Sequence, residues 1–125
     1  MKLNIPEVVA EATAMFNQYE QALVSNDIAV LDALFWDHPL VVRYGATENL
    51  YGIEAIRAFR TGRPTGDLAR ALTQTIITTF GRDLATANTE FRRLNSDSMG
   101  RQTQTWCRMP EGWRIVSAHV SLLGS

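Results

Sequence analysis

Two polar side chains of this sequence sit where apolar ones are expected, and both suit acid–base or anion chemistry. Tyr19 falls on a stripe formed by Val8, Ala12, Met15, Phe16, Tyr19 and Leu23, the 3.6-residue period of one helix face. Its hydroxyl should be buried and must find a partner. That partner is either a backbone carbonyl, making Tyr19 a core residue, or a ligand in a cavity. Arg43 stands in the apolar run Val41-Val42-Arg43-Tyr44. A buried guanidinium keeps its proton and so must find an anion. Nothing acidic sits beside it until Glu48. The anion is Glu48, Glu90 or the carboxylate of a ligand, held by two parallel hydrogen bonds.

Three further positions carry titratable groups. His119 lies in the alternation Trp113, Ile115, Ser117, His119, Ser121, which puts all five on one face of a strand. It is either a general acid–base or a satisfied core or interface histidine. Glu90 is central in Thr86, Asn88, Glu90, Arg92, a face that is solvated or lines a polar cavity. Cys107, the single cysteine, reads as a small buried hydrophobe. Asp37 and His38 read as capping or loop residues.

The elements that must position these groups follow from period and punctuation. Asn4-Ile5-Pro6-Glu7 predicts a capped helix start, with the helix running from Pro6 to Ser25. Asn26 or Asp27 opens a shorter helix with Ile28, Leu31, Leu34 and Phe35 on one face, ended by Pro39. Two short strands flank the turn at Gly45. A third helix spans Ile53 to Thr61 with Ile53, Ile56 and Phe59 inward, and Gly62, Pro64 and Gly66 make a loop. Four long strands follow: Leu68 to Phe80, Leu84 to Leu94, Arg101 to Met109, and Trp113 to Leu122. Helices first and then a meander is an α+β order. A strongly curved sheet wrapped round the first helix leaves a cavity at its open end. Such sheets pair face to face between subunits, so a homodimer is expected.

Composition narrows the function classes. The chain has 125 residues, 46% hydrophobic and 20% charged, which fits one globular domain over residues 1–125. A net charge of -1 gives no electrostatic case for nucleic acid or an anionic membrane. The lone cysteine, the absence of a signal-peptide pattern and the lack of a ~20-residue apolar run predict a cytoplasmic protein. Of 12 basic residues only Lys2 is lysine. Genomic bias produces such a count, and so do sites for planar carboxylates. Two histidines and one cysteine, far apart, make no zinc set. There is no phosphate loop, dinucleotide fingerprint or Gly-x-Ser-x-Gly elbow. What remains is a cofactor-free pocket with a phenol and a guanidinium, to which an imidazole or a carboxylate could be added.

The order of elements, with the ending Trp113-Arg114-Ile115-Val116-Ser117-Ala118-His119-Val120-Ser121, resembles the NTF2-like (SnoaL-like) superfamily. That likeness implies a cone-shaped α+β barrel, with three N-terminal helices packed in a curved antiparallel sheet. The segments Leu34-Phe35-Trp36-Asp37, Val42-Arg43-Tyr44-Gly45, Glu48-Asn49-Leu50-Tyr51-Gly52 and Ile56-Arg57-Ala58-Phe59-Arg60 resemble the AtzH-like group, which includes the oxalurate-catabolism protein HpxZ. The resemblance implies a functional pair made of a helix tyrosine and a strand arginine, the positions of Tyr19 and Arg43. It also implies a decarboxylating amidohydrolase acting on a carboxylated urea or an oxalurate-like acid, in ureido-acid or purine breakdown. Arg43 would then bind a carboxylate and Tyr19 would donate a proton, inside a pocket walled by Trp36 and Phe59, with Glu90 and His119 within reach of substrate. A non-catalytic ligand-binding or accessory subunit, working with an amidase of the same pathway, is the alternative. A steroid-isomerase-like proton shuttle is a third reading, and it needs Glu90 to face Tyr19.

Overall fold

The computed structural model describes residues 1–63 and 69–124. Helix α1 (Pro6–Val24) opens on a proline, whose missing N–H costs nothing in a first turn. The expected capping box does not form. Ile5 occupies the N-cap position without a side-chain bond. Asn4 instead adopts a positive φ of 53° and turns toward the sheet. Its side chain accepts from the Thr79 N–H at 2.9 Å, and its own N–H donates to the Thr79 carbonyl at 3.0 Å. Asn4 thus covers part of a sheet edge that would otherwise expose backbone groups.

Helix α2 (Ile28–Leu34) is capped as expected by Asp27, which accepts from the Val30 N–H at 3.3 Å. It ends at Phe35 and not at Pro39. There the chain turns extended, and the Trp36 N–H donates to the Ile115 carbonyl at 2.9 Å. Strands β1 (Val42–Tyr44) and β2 (Asn49–Tyr51) form the hairpin expected around Gly45. Gly52, at φ 86°, turns the chain into α3 (Ile53–Gly62). The buried face of α3 is Ile53, Ile56 and Arg60. Phe59, expected inward, is half-buried, and Arg60 holds the core position at only 2% exposure. Of the loop expected after α3, Pro64 and Gly66 lie outside the described residues, as does Leu68, the expected start of the next strand.

Four long strands complete the chain: β3 (Arg70–Phe80), β4 (Leu84–Arg93), β5 (Met99–Met109) and β6 (Gly112–Leu122). The sheet has six strands in the order β2-β1-β6-β5-β4-β3. Neighbours are antiparallel except at β1–β6, which pair in parallel over three residues. Helix α1 lies against β3, and its apolar stripe meets Ala85, Ala87, Trp106, Ile115 and Ala118 in one core.

Two bulges bend the sheet and decide which side chains face in. On β3 the register slips between Thr73 and Ile76, with Gln74 at φ 53°. On β6, Trp106 pairs with Ile115 but Thr105 pairs with Ser117, so Val116 is an extra residue. One inserted residue moves every later side chain to the other face. Trp113 and Ile115 point into the core, and beyond Val116 it is Ala118 that is buried while Ser117 and His119 are exposed.

Candidate functional site

Tyr19 and Arg43 reach the same place. They line one cavity of about 60 Å³ with Leu23, Arg63, Arg70, Arg93, Gln102 and Val120. This is the volume of about four waters, the scale of a small planar acid and far below a site for a nucleotide or steroid. Helix α1 supplies Tyr19 and Leu23, β1 supplies Arg43, and the long strands supply Arg70, Arg93, Gln102 and Val120.

The cavity is rich in positive charge. Arg43, 8% exposed, donates through Nη1 to Glu48 Oε1 at 3.1 Å. Glu48 folds back over the turn and is held there by the Thr47 hydroxyl at 2.7 Å. That single bond leaves Arg43 Nε buried without a partner. Arg70 donates to both oxygens of Glu20, Nε at 2.7 Å, and its guanidinium lies 4.4 Å over the Phe91 ring. Among the described residues, no carboxylate pairs with Arg63 or Arg93. Arg63 is held by the Asn26 side-chain oxygen at 3.1 Å, and Arg93 sits 6.0 Å from the Phe91 ring. Among the described residues, four guanidiniums and two paired carboxylates leave Arg63 and Arg93 without a carboxylate partner. Behind them Arg60, its Nε 3.2 Å from Asp32, lies 5.1 Å over the Phe35 ring.

Three of these guanidiniums act on Tyr19. Burial alone pushes the phenol up, but the guanidiniums of Arg60, Arg43 and Arg70 outweigh it, and the net shift is below the ordinary value. The Tyr19 ring packs in the core, and its hydroxyl interacts with the Arg60 side chain and not with a backbone carbonyl among the described residues. Arg63 is likewise held below its ordinary value by burial and by neighbouring guanidiniums. Arg43 keeps one of its expected protein partners, Glu48, and still offers an unused nitrogen.

The other sequence candidates lie elsewhere. Glu90 is on the opposite face of β4 from buried Ala87, Thr89 and Phe91, and it lines a shallow groove with Asn88, Arg101 and Thr103. It therefore cannot act as a base facing Tyr19. His119 is exposed beyond the Val116 bulge, with its ring edge-on to Tyr44 at 5.7 Å. Trp36 stacks on His38 at 3.9 Å and borders a separate open groove with Asp32, Asp37 and Arg57. Phe59 stays close to the site: the Arg43 guanidinium lies 5.4 Å over its ring. The sequence reading missed Arg60, Arg63, Arg70, Arg93 and Gln102. The arginine bias was the one signal that pointed their way.

Among the described residues no group of three His, Cys, Asp or Glu side chains is placed to hold a metal ion. No described helix is long and apolar enough to cross a membrane.

The profile of AtzH-like proteins matches residues 1–125. The chain belongs to the AtzH-like family. Two crystal structures resemble this AtzH-like chain over nearly its whole length. A DUF3225-family protein of unknown function from Pectobacterium atrosepticum is 61% identical, covering 98% of this chain and 95% of its own, with a TM-score of 0.96. A cystatin-like fold protein from Burkholderia xenovorans is 49% identical, covering 100% and 98%, with a TM-score of 0.95. An NTF2-like protein from Pseudomonas putida, at 22% identity, covers 95% and 89% with a TM-score of 0.80, which shows the shared NTF2-like α+β fold. No curated protein matches the AtzH-like chain.

Proposed function

We propose that this protein is a small-molecule enzyme of ureido-acid breakdown, which removes carbon dioxide from a urea that carries an N-carboxylate. The observation that carries the reading is the cavity itself: a phenol with a lowered pKa beside a guanidinium with an unused nitrogen, in a pocket with surplus positive charge. On a dicarboxylated urea Arg43 holds the carboxylate that the product retains. A fork of two parallel donors fixes a planar anion better than a point charge. Tyr19 gives its proton to the nitrogen that bears the leaving carboxylate. The C–N bond breaks, its electron pair stays on nitrogen, and carbon dioxide departs. The tyrosinate then takes a proton from water, and the guanidiniums around it stabilise the anion meanwhile. A pKa below the ordinary phenol value brings the donor nearer to neutral pH, where general acids work best.

Mass spectrometry of the purified protein with carboxyurea, dicarboxyurea, oxalurate and oxamate tests this. Loss of carbon dioxide is expected from carboxyurea or dicarboxyurea, which carry an N-carboxylate, and not from oxalurate or oxamate, whose carboxylates are bonded to carbon. Tyr19→Phe and Arg43→Lys should each lower the rate by ~10²-fold or more. No turnover of carboxyurea or dicarboxyurea, or wild-type rates in Tyr19→Phe, refutes the enzyme reading.

The second reading is a ligand-binding or accessory subunit of an amidase pathway, and the Arg43–Glu48 pair favours it, because a protein group already meets part of the arginine's charge. Co-purification with an amidase and tight anion binding without turnover would support it. We also propose a homodimer, paired through the outer sheet face where Tyr51 and Ile76 are exposed. A monomeric mass by light scattering at micromolar concentration refutes that.

A further inference from the structure

We infer that Gln102 is a ligand-binding residue of this cavity, donating from its carboxamide to a neutral carbonyl oxygen of the substrate. The inference deepens the ureido-acid reading by naming what separates such acids from plain carboxylic acids.

Gln102 is 2% exposed and lines the cavity with Tyr19 and Arg43. Its amide cannot turn freely. The Gln102 side-chain oxygen accepts from Arg70 Nη2 at 3.0 Å, and Arg70 is in turn fixed by Glu20 and by the Phe91 ring. With the oxygen occupied, the amide nitrogen is left with two donors. It is buried and has no partner. A buried donor without an acceptor is unfavourable, so its presence beside a cavity needs a reason.

The reason lies in the rest of the lining. Among the described residues the polar groups here are guanidiniums, one phenol and this amide, so that part of the wall is almost wholly made of donors. Its ligand must be rich in acceptors. The guanidiniums suit charged oxygens. A neutral, rigidly aimed amide suits an oxygen without full charge, such as the carbonyl of a urea or amide next to the carboxylate. Gln104 is the internal contrast. It lies two residues along β5, 1% exposed, with its oxygen bonded to Trp106 Nε1 at 3.0 Å and its nitrogen also unpartnered, but it does not line this cavity.

Isothermal titration calorimetry with a matched pair of ligands tests the assignment. N-carbamoylglycine carries a carboxylate and a urea carbonyl; pentanoate has the same chain length and no carbonyl. The wild-type protein should bind N-carbamoylglycine more tightly, by about three- to tenfold. Gln102→Leu and Gln102→Met should abolish the difference and leave pentanoate affinity within about twofold, while Gln104→Leu should keep it. Equal binding of the two ligands by the wild type, or equal loss of both in the Gln102 variants, overturns the inference. Because binding is read and not turnover, the two proposals fail separately. A preserved preference with no decarboxylation leaves Gln102 assigned and refutes the reaction. Decarboxylation without the preference does the reverse.

Discussion

Replacing Gly45 by alanine should damage the site through sterics alone. The residue is not in the left-handed region, so an alanine backbone fits and brings a small gain of ~0.5 kcal/mol by stiffening the unfolded chain. The added methyl does not fit. A Cβ there lies 1.7 Å from Glu48 Oε1, 2.5 Å from its Cδ and 3.1 Å from Arg43 Nη1. The flexible carboxylate must swing away, and Arg43 then has no carboxylate partner among the described residues. Breaking a buried ion pair from one side costs ~3–5 kcal/mol. The Glu48 side chain is 18% exposed and the cavity admits water, so a net loss of ~2–3 kcal/mol is the expected value here. For a chain of this length that lowers Tm by about 8–12 °C. Urea denaturation followed by circular dichroism, at unchanged slope, measures it. Glu48→Ala should cost about as much, and the double variant little more, because both remove one interaction. Added oxalate should restore more stability to Gly45→Ala than to the wild type, because the vacated guanidinium binds it. Gly45→Ala within ~0.5 kcal/mol of wild type, or a double variant that loses the full sum, would refute the reasoning.

Three further outcomes are expected. Ultraviolet titration of the phenols should show one tyrosine ionising below the ordinary 10.0, and Tyr19→Phe should remove that component while leaving the others. Glu48 has a lowered folded pKa: desolvation opposes the shift, and bonds from Thr47 and Arg43 produce it. Its contribution is therefore complete above the ordinary 4.5 and lost as pH falls through the lower folded value, so Glu48→Gln should flatten the acid limb of the stability curve below 4.5. Gly100→Ala places a Cβ 2.0 Å from Phe91 Cζ and must displace the ring. It should cost ~1–3 kcal/mol of stability by overpacking. It should also weaken oxalate binding, since Phe91 supports the guanidiniums of Arg70 and Arg93; unchanged urea midpoint and affinity would show that the ring moves freely.

Much of the fold was legible because local rules decided it. The stripe ending at Tyr19 and Leu23 needed only the helical period, and the observed α1 ends one residue from the expected boundary. Asp27 capped α2 as its type predicts. Asn4 was equally capable of capping α1, but a distant strand edge offered it two hydrogen bonds, and no local pattern reports that edge. Phe59 and Arg60 differ by one position on α3; the apolar residue was expected inside, yet Arg60 takes the buried place, with Asp32 3.2 Å from its Nε and the Phe35 ring under its guanidinium.

The sequence by itself determined that Tyr19 is buried on a helix and that Arg43 is a charge inside an apolar strand needing an anion. Both follow from periodicity and from the fixed charge of a guanidinium. Only the tertiary structure decided which groups stand around them. His119 left the shared face because Val116 bulges, and one extra residue flips every side chain beyond it. Glu20, Arg63, Arg70, Arg93 and Gln102 meet because the bent sheet brings its strands back over α1, across separations such as the 50 residues between Glu20 and Arg70. Charge balance in the cavity is a sum over those distant segments, so no single stretch of the chain could reveal that it ends positive among the described residues.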